Sequence, residues 1–361
     1  MRRSDRRPFD HALRLAQGGE QRRTAQGRHE LVEWRAKAHN ETAVVRSNVQ
    51  VQPRYFAMTL HAPGIAEHAR PGQFVSVLTT EIALGERVFE DEEALWERRG
   101  SRWSPAVLNR TLVRRPFSFW RIDRARGEIG ILFRVIGKGT EAMARMRPGR
   151  KVSLLGPLGN GFDIGSLRGG KTAILLGGGI GIAPFFALAQ ELRQNKIPAV
   201  AFFGGLDEVN LPIALSKVVS APAIRIQGVE KCLKAQEYEA IGIPTAISTE
   251  KGRRGFKGYV SALLEGYLAE LRPGEPARQE IFTCGPWGML EAIAEVARRH
   301  GLPCQVLLEG VMGCGLGVCM SCVCDVRLPD GRRGHKRICV DGPMFRAEEI
   351  DWMGGPHGHK A

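Results

Sequence analysis

Residues 172–190 read Thr-Ala-Ile-Leu-Leu-Gly-Gly-Gly-Ile-Gly-Ile-Ala-Pro-Phe-Phe-Ala-Leu-Ala-Gln, the longest uncharged run in the chain. On length alone the run could cross a bilayer. Its four glycines and Pro184 argue otherwise. They divide it into a continuous apolar strand at Ala173–Leu176, a glycine turn at Gly177–Gly181, and a helix at Pro184–Arg193. In open α/β sheets, nucleotides bind where such a turn joins strand to helix. Working outward, Ala199–Phe203 and Thr245–Ser248 repeat the strand pattern. Ser261–Leu271 and Trp287–Arg299 have helical spacing, the second stopping before Gly301. Strands alternating with helices imply a parallel sheet covered by helices, here over residues 166–303.

Upstream the pattern is different. Thr42–Val51, Tyr55–Leu60, Phe74–Leu78, Arg115–Trp120, Ile129–Val135 and Lys151–Leu155 read as short strands separated by Gly/Pro turns. That pattern predicts an antiparallel β-barrel over residues 41–165. A charged stretch from Glu86 to Arg99, within a longer insertion at 82–106, reads as an exposed helix or loop. Residues 1–40 hold ten Lys/Arg against five Asp/Glu and form a basic arm expected to be disordered. The acidic residues of the arm argue against a transit peptide, and it has no apolar secretory segment.

The whole chain has 361 residues, 43 % hydrophobic and 25 % charged, with 52 basic and 38 acidic side chains and a net charge of +14. That composition excludes a disordered or fibrous protein. The excess charge forms no basic stripe with interleaved aromatics, so no nucleic-acid partner is expected. No membrane partner is expected either. Eight cysteines without a secretory signal point to a reducing, cytoplasmic setting and to metal ligation rather than disulfides.

Five of those cysteines lie in residues 304–361 beyond Cys304 itself, from Cys314 to Cys339. The spacing is Cys314-x4-Cys319-x2-Cys322, followed by sixteen residues to Cys339. This is the plant-type pattern of a [2Fe–2S] cluster. Gly313, Gly315 and Gly317 would let backbone approach the sulfurs. A four-thiolate zinc site is the alternative, although only Cys319-x2-Cys322 resembles a zinc hook. Cys324 follows Cys322 too closely for a natural fourth ligand and reads as a buried thiol.

Three further motifs carry cofactor chemistry. Arg115-Pro116-Phe117-Ser118 lies on a barrel strand, where an Arg can grip a pyrophosphate and a nearby hydroxyl can reach a flavin ring. Gly137-Lys138-Gly139-Thr140 precedes the helical Glu141–Met146, a place where free N–H groups face a phosphate. Thr283-Cys284-Gly285-Pro286 follows the strand Glu280–Phe282, so the Cys284 thiol could touch a nicotinamide. Each motif has a bland reading on its own: a solvent-facing strand, a plain helix start, a packing cysteine. Asp207 and Glu208, after Gly204-Gly205, could accept from a ribose 2′-hydroxyl and favour NADH. Arg253, Arg254 and Lys257 nearby could invite a 2′-phosphate instead.

Taken in order, these motifs resemble the ferredoxin–NADP reductase superfamily, and within it the electron-transfer subunits of NAD-linked dihydroorotate dehydrogenase. The resemblance spans residues 42–350. It rests on Arg115-Pro116-Phe117-Ser118, Leu132-Phe133-Arg134, Gly139-Thr140, Gly156–Phe162, Gly177–Pro184, Cys284-Gly285-Pro286, the four cysteines, and Cys339-Val340-Asp341-Gly342-Pro343. Phe117 stands where many relatives carry Tyr, and Glu250-Lys251-Gly252-Arg253-Arg254 is unusually basic. The resemblance implies FAD on the barrel, NAD(H) on the α/β domain and a [2Fe–2S] cluster on the tail. FAD contacts would come from Arg115 to Ser118, Leu132 to Arg134, Gly139 and Thr140. NAD(H) contacts would come from Gly177, Gly178, Gly179, Gly181, Pro184, Asp207, Cys284, Gly285 and Pro286. Ser118 and Cys284 would flank the reacting rings. It further implies a separate FMN-containing dihydroorotate dehydrogenase catalytic subunit, assembled as a heterotetramer. A reductase for ferredoxin, sulfur or a hydrogenase is the alternative oxidoreductase, and a zinc-stabilised scaffold the alternative of another class.

Overall fold

The computed structural model describes residues 38–79 and 114–354. The charged segment Glu86–Arg99, the 82–106 insertion and nearly all of the 1–40 arm lie outside the described residues.

Six strands make the barrel: β1 (His39–Gln52), β2 (Tyr55–His61), β3 (Phe74–Leu78), β4 (Arg114–Asp123), β5 (Glu128–Arg134) and β6 (Lys151–Leu158). They close in the order β1-β2-β5-β4-β3-β6, every pair antiparallel. Closure removes the exposed edges that an open sheet would leave. Met58, Leu60, Val75, Val77, Ile129 and Ile131 fill the interior. Helix α1 (Pro63–His68) caps it with Ile65 and Ala66, both fully buried. Helix α2 (Lys138–Ala144) begins three residues earlier than the expected Glu141. The reason is Thr140, whose hydroxyl accepts from the N–H groups of Ile136 and Gly137 and stabilises the first turn.

The second unit is built on β7 (Thr172–Gly178), β8 (Ala199–Gly205), β9 (Thr245–Thr249), β10 (Phe256–Lys257), β11 (Gln279–Cys284) and β12 (Cys304–Leu307). These strands are mutually parallel and run in the order β10-β9-β8-β7-β11-β12. Alternate residues of β7 face opposite layers. Ala173 and Leu175 pack on α3 (Phe185–Gln194) and α4 (Gln236–Ala240). Ile174 and Leu176 pack toward α5 (Val260–Ala269) and α6 (Trp287–His300). A strand covered on both faces reads as a continuous apolar run, which is why residues 172–190 could be mistaken for a membrane span. Among the described residues no helix is long and apolar enough to cross a membrane.

The tail forms a hairpin of β13 (Val323–Arg327) and β14 (Arg333–Arg337), a short helix α7 (Ile338–Asp341), and β15 (Met344–Arg346). β15 returns to pair antiparallel with β12 as the seventh strand of the α/β sheet. The expected division at residue 303 therefore falls just before a strand of that sheet. Three- and four-residue strands are too short for periodicity to reveal them.

Candidate electron-transfer site

The hairpin explains how distant cysteines meet. Val323 and Arg337 are register partners at its open end, so Cys322 just before and Cys339 just after come together. Their thiols share a hydrogen bond that brings Cys322 down to about 7 and pushes Cys339 up. Cys314 and Cys319 form a second pair. The Cys314 N–H donates to the Cys319 thiol at 3.4 Å, and the Cys319 N–H to the Cys314 thiol at 3.5 Å. Although what burial it has raises the Cys319 thiol, hydrogen bonds from Ser321 and Cys314 outweigh this and bring it down to about 6. At Cys319 and Cys322 thiolate, the ligating form, is thus accessible near neutral pH.

Two pairs of thiols fit the donor set of a [2Fe–2S] cluster, two for each iron. The backbone fits as well. Gly317 holds φ at +79°, and a Cβ there would stand 2.7 Å from Val340 Cγ2. Cys324 belongs to the core: it is fully buried, donates to the Lys336 carbonyl at 3.5 Å, and burial pushes its thiol up to about 12.

In the α/β unit, the glycine turn and the Cys284 motif sit at the ends of adjacent strands, with Gly177 the register partner of Cys284. They touch backbone to backbone. A Cβ on Gly181 would lie 2.5 Å from the Cys284 carbonyl oxygen, so no other residue fits without displacing the chain. Gly178 faces Pro286 and Met289, and Pro184 precedes α3 as its N-cap. The Cys284 thiol is 1 % exposed, and burial, then the charge of Glu309, hold it well above its ordinary pKa. It is a neutral thiol, suited to packing and weak donation rather than nucleophilic attack. Asp207 is partly engaged locally, with Oδ1 accepting from the Asn210 backbone N–H at 3.1 Å and its side-chain amide at 2.5 Å. Glu208 accepts from the N–H groups of Arg253 and Arg254 at 3.2 and 3.1 Å, tying down the basic turn.

On the barrel, Arg114 and Arg115 have different roles. Arg114 is locked, donating to the carbonyls of Ser76 and Ser153 and, at 2.6 Å, to the Ser153 hydroxyl. Arg115 makes a side-chain bond to the Arg114 carbonyl at 3.2 Å and keeps donors for an anion. Removing such a charge-assisted contact costs about 1.5–3 kcal/mol. Arg115→Ala is therefore expected to weaken FAD roughly 10- to 100-fold, measured by flavin fluorescence on dilution. Leu132 and Phe133 are 2 % and 1 % exposed, with Phe133 stacked on Phe56. The Phe133 side chain belongs to the barrel core, and that of Leu132 is buried as well. Arg134 turns outward over the Tyr55 ring, 5.7 Å from its centroid.

The three parts are joined by contacts that sequence reasoning missed. Ser118 is the register partner of Phe74, whose ring lies 3.9 Å from where a Gly315 Cβ would stand. The strand paired with the one bearing Ser118 thus abuts the cysteine loop. Asn160, after β6, donates to the Met344 carbonyl at 2.8 Å and accepts the Met344 N–H at 3.0 Å. Its position inside the Gly156–Phe162 motif was the available signal. Glu280 on β11 is fully buried and accepts from Arg346 and Gln305, each at 2.8 Å. Arg346 also reaches Asp163 at 3.3 Å. A lone Glu within a strand carries no such message in sequence.

Barrel, parallel sheet and thiol pairs define the class: the fold of the ferredoxin–NADP reductases carrying an iron–sulfur module of its own. Residues 309–351 match the iron–sulfur cluster binding domain of dihydroorotate dehydrogenase B. The chain is 32 % identical over 310 residues to the dihydroorotate dehydrogenase B (NAD(+)) electron transfer subunit of Bacillus caldolyticus, covering 86 % of this chain and 98 % of that one. Its identity to the Enterococcus faecalis (strain V583) counterpart is 30 %, covering 86 % and 97 %. The chain belongs to this family of electron transfer subunits. In fold it is similar to the solved NADH-dependent reduced ferredoxin–NADP oxidoreductase, with a TM-score of 0.62, 23 % identity, and coverage of 86 % of this chain and 90 % of that one.

Proposed function

We propose that this chain carries electrons between NAD(H) and an FMN-containing dihydroorotate dehydrogenase catalytic subunit, in a cytoplasmic heterotetramer serving pyrimidine biosynthesis. The observation that supports it best is the apolar surface of the cysteine module. Val311, Val318 and Met320 are 59 %, 53 % and 54 % exposed, on and beside the loop that carries Cys314, Cys319 and Cys322. An apolar patch beside a metal centre suits a partner that must approach closely. That all eight cysteines are free agrees with a reducing compartment.

Bound FAD would supply the change from two-electron to one-electron chemistry, with the cluster as the one-electron outlet. The chain's own residues make this geometry. Arg115 holds the pyrophosphate, assisted by the backbone of Gly139 and Thr140, and Ser118 stands at the flavin edge. Gly177 to Gly181 and Cys284 to Pro286 let the nicotinamide approach. Cys314, Cys319, Cys322 and Cys339 ligate the metal. Asp207 keeps one oxygen for a ribose hydroxyl, and Glu208 restrains the basic turn, so NADH is preferred over NADPH.

Reconstitution tests the reading. The chain alone is expected to reduce dyes with NADH, with higher kcat/KM than with NADPH, and to show no turnover of orotate. Adding the FMN-bearing catalytic subunit of the same organism should yield NADH-dependent orotate reduction. Val318→Asp should abolish that reaction and spare dye reduction. Failure of the two subunits to bind, or orotate turnover by the chain alone, would overturn the proposal.

A further inference from the structure

We propose that Arg337 sets the reduction potential of the cysteine module, as a fixed positive charge and positioning residue beside the four thiols. The inference rests on the reading of Cys314, Cys319, Cys322 and Cys339 as ligands of a [2Fe–2S] cluster. Arg337 ends β14 and caps α7, two residues before Cys339 and opposite the residue that follows Cys322. Its side chain is 22 % exposed. Nη1 donates to the Gly317 carbonyl at 2.9 Å, in the loop between Cys314 and Cys319. Nε donates to Asp341 Oδ2 at 3.1 Å, and the Arg337 backbone N–H reaches the same oxygen at 2.8 Å. One side chain therefore joins the loop of the first thiol pair to the helix of the second.

Guanidinium stays protonated at any working pH. One-electron reduction adds a negative charge to the cluster and its thiolates, with no bond made or broken and no proton taken up; the electron comes from the flavin. A nearby fixed cation favours that reduced state, and partial burial weakens solvent screening of the interaction. Asp341, ion-paired with Arg337, offsets part of the field.

The test is a potentiometric titration of the full-length protein, loaded with FAD and cluster, following the reduced-cluster EPR signal. Arg337→Gln keeps a donor for Gly317 and loses the charge. It is expected to shift the one-electron equilibrium about tenfold against reduction, which corresponds to about 59 mV. Arg337→Lys keeps the charge and should remain within about threefold of wild type. Asp341→Asn removes the counter-charge and should shift the equilibrium the other way. A merely structural role would not give opposite shifts in two variants with intact EPR signals. An unchanged potential in Arg337→Gln overturns the inference. So does an unchanged or lowered potential in Asp341→Asn, which decides the matter if the Gln variant fails to assemble. A wild-type protein with no [2Fe–2S] signal would overturn the ligand reading, and this inference with it.

Discussion

Cys339→Ser is expected to bleach the iron–sulfur absorption of the protein while leaving its flavin bound and its NADH-dependent dye reduction intact. Cys339 is fully buried at the head of α7, hydrogen-bonded to Cys322, so loss of its thiol leaves the second thiol pair with one member. A serine hydroxyl is a hard, weakly acidic donor where a soft thiolate is required. Losing an outer-shell partner already costs a metal site about 10- to 100-fold in affinity, and losing a ligand should exceed that. Electron delivery to the catalytic subunit should then disappear. Cys324→Ser is the control. Its thiol is a buried donor to the Lys336 carbonyl, a bond that serine can also make, so the cluster should assemble normally. Iron and flavin analysis with visible absorption decides the outcome. A retained cluster in Cys339→Ser, or a lost one in Cys324→Ser, would show that the ligand set is wrong.

Arg346→Ala is expected to cost about 3 kcal/mol of stability, the low end of the range for breaking a buried ion pair. Glu280 is completely buried in β11, and Arg346 reaches it at 2.8 Å across the intervening β12. Removing the arginine leaves a carboxylate without its main counter-charge. Gln305 still donates to it at 2.8 Å and Lys171 stands 4.0 Å away, which is why the low end applies. Arg346 also bonds Asp163, so the loss should loosen β15 from the sheet and the cysteine module with it. Urea unfolding of the holoprotein gives the magnitude, and hydrogen exchange at Met344–Arg346 shows where it acts. The paired change Glu280→Gln with Arg346→Met should recover most of the lost stability, because neither side chain then buries a charge. Equal stability of Arg346→Ala and wild type would mean that the pair contributes nothing.

The barrel, the parallel sheet and the cysteine module were all legible in sequence, because each rests on local signals. Period-two strands with Gly/Pro turns, the apolar strand Ala173–Leu176 before its glycines, and the Cys314–Cys339 spacing are all set by residues near one another. Cys324 could be set aside for the same reason, being too close to Cys322. Roles decided by direction in space were not legible. Arg115 was singled out with Pro116-Phe117-Ser118, but only closure of the barrel shows its neighbour Arg114 locked onto Ser153. Phe133 looks like part of a cofactor motif until its ring is seen stacked on Phe56 inside the barrel.

By itself, then, the sequence determined three units and the four thiols, since backbone propensity, side-chain period and ligand spacing act over a few residues. The tertiary structure alone decided how those units join. β15 completes a sheet begun some 170 residues earlier, Asn160 binds Met344 across |i−j| = 184, and Arg337 reaches back to Gly317. Such contacts depend on long-range chain closure and on hydrogen-bond geometry, which leave no periodic trace in the residues that make them.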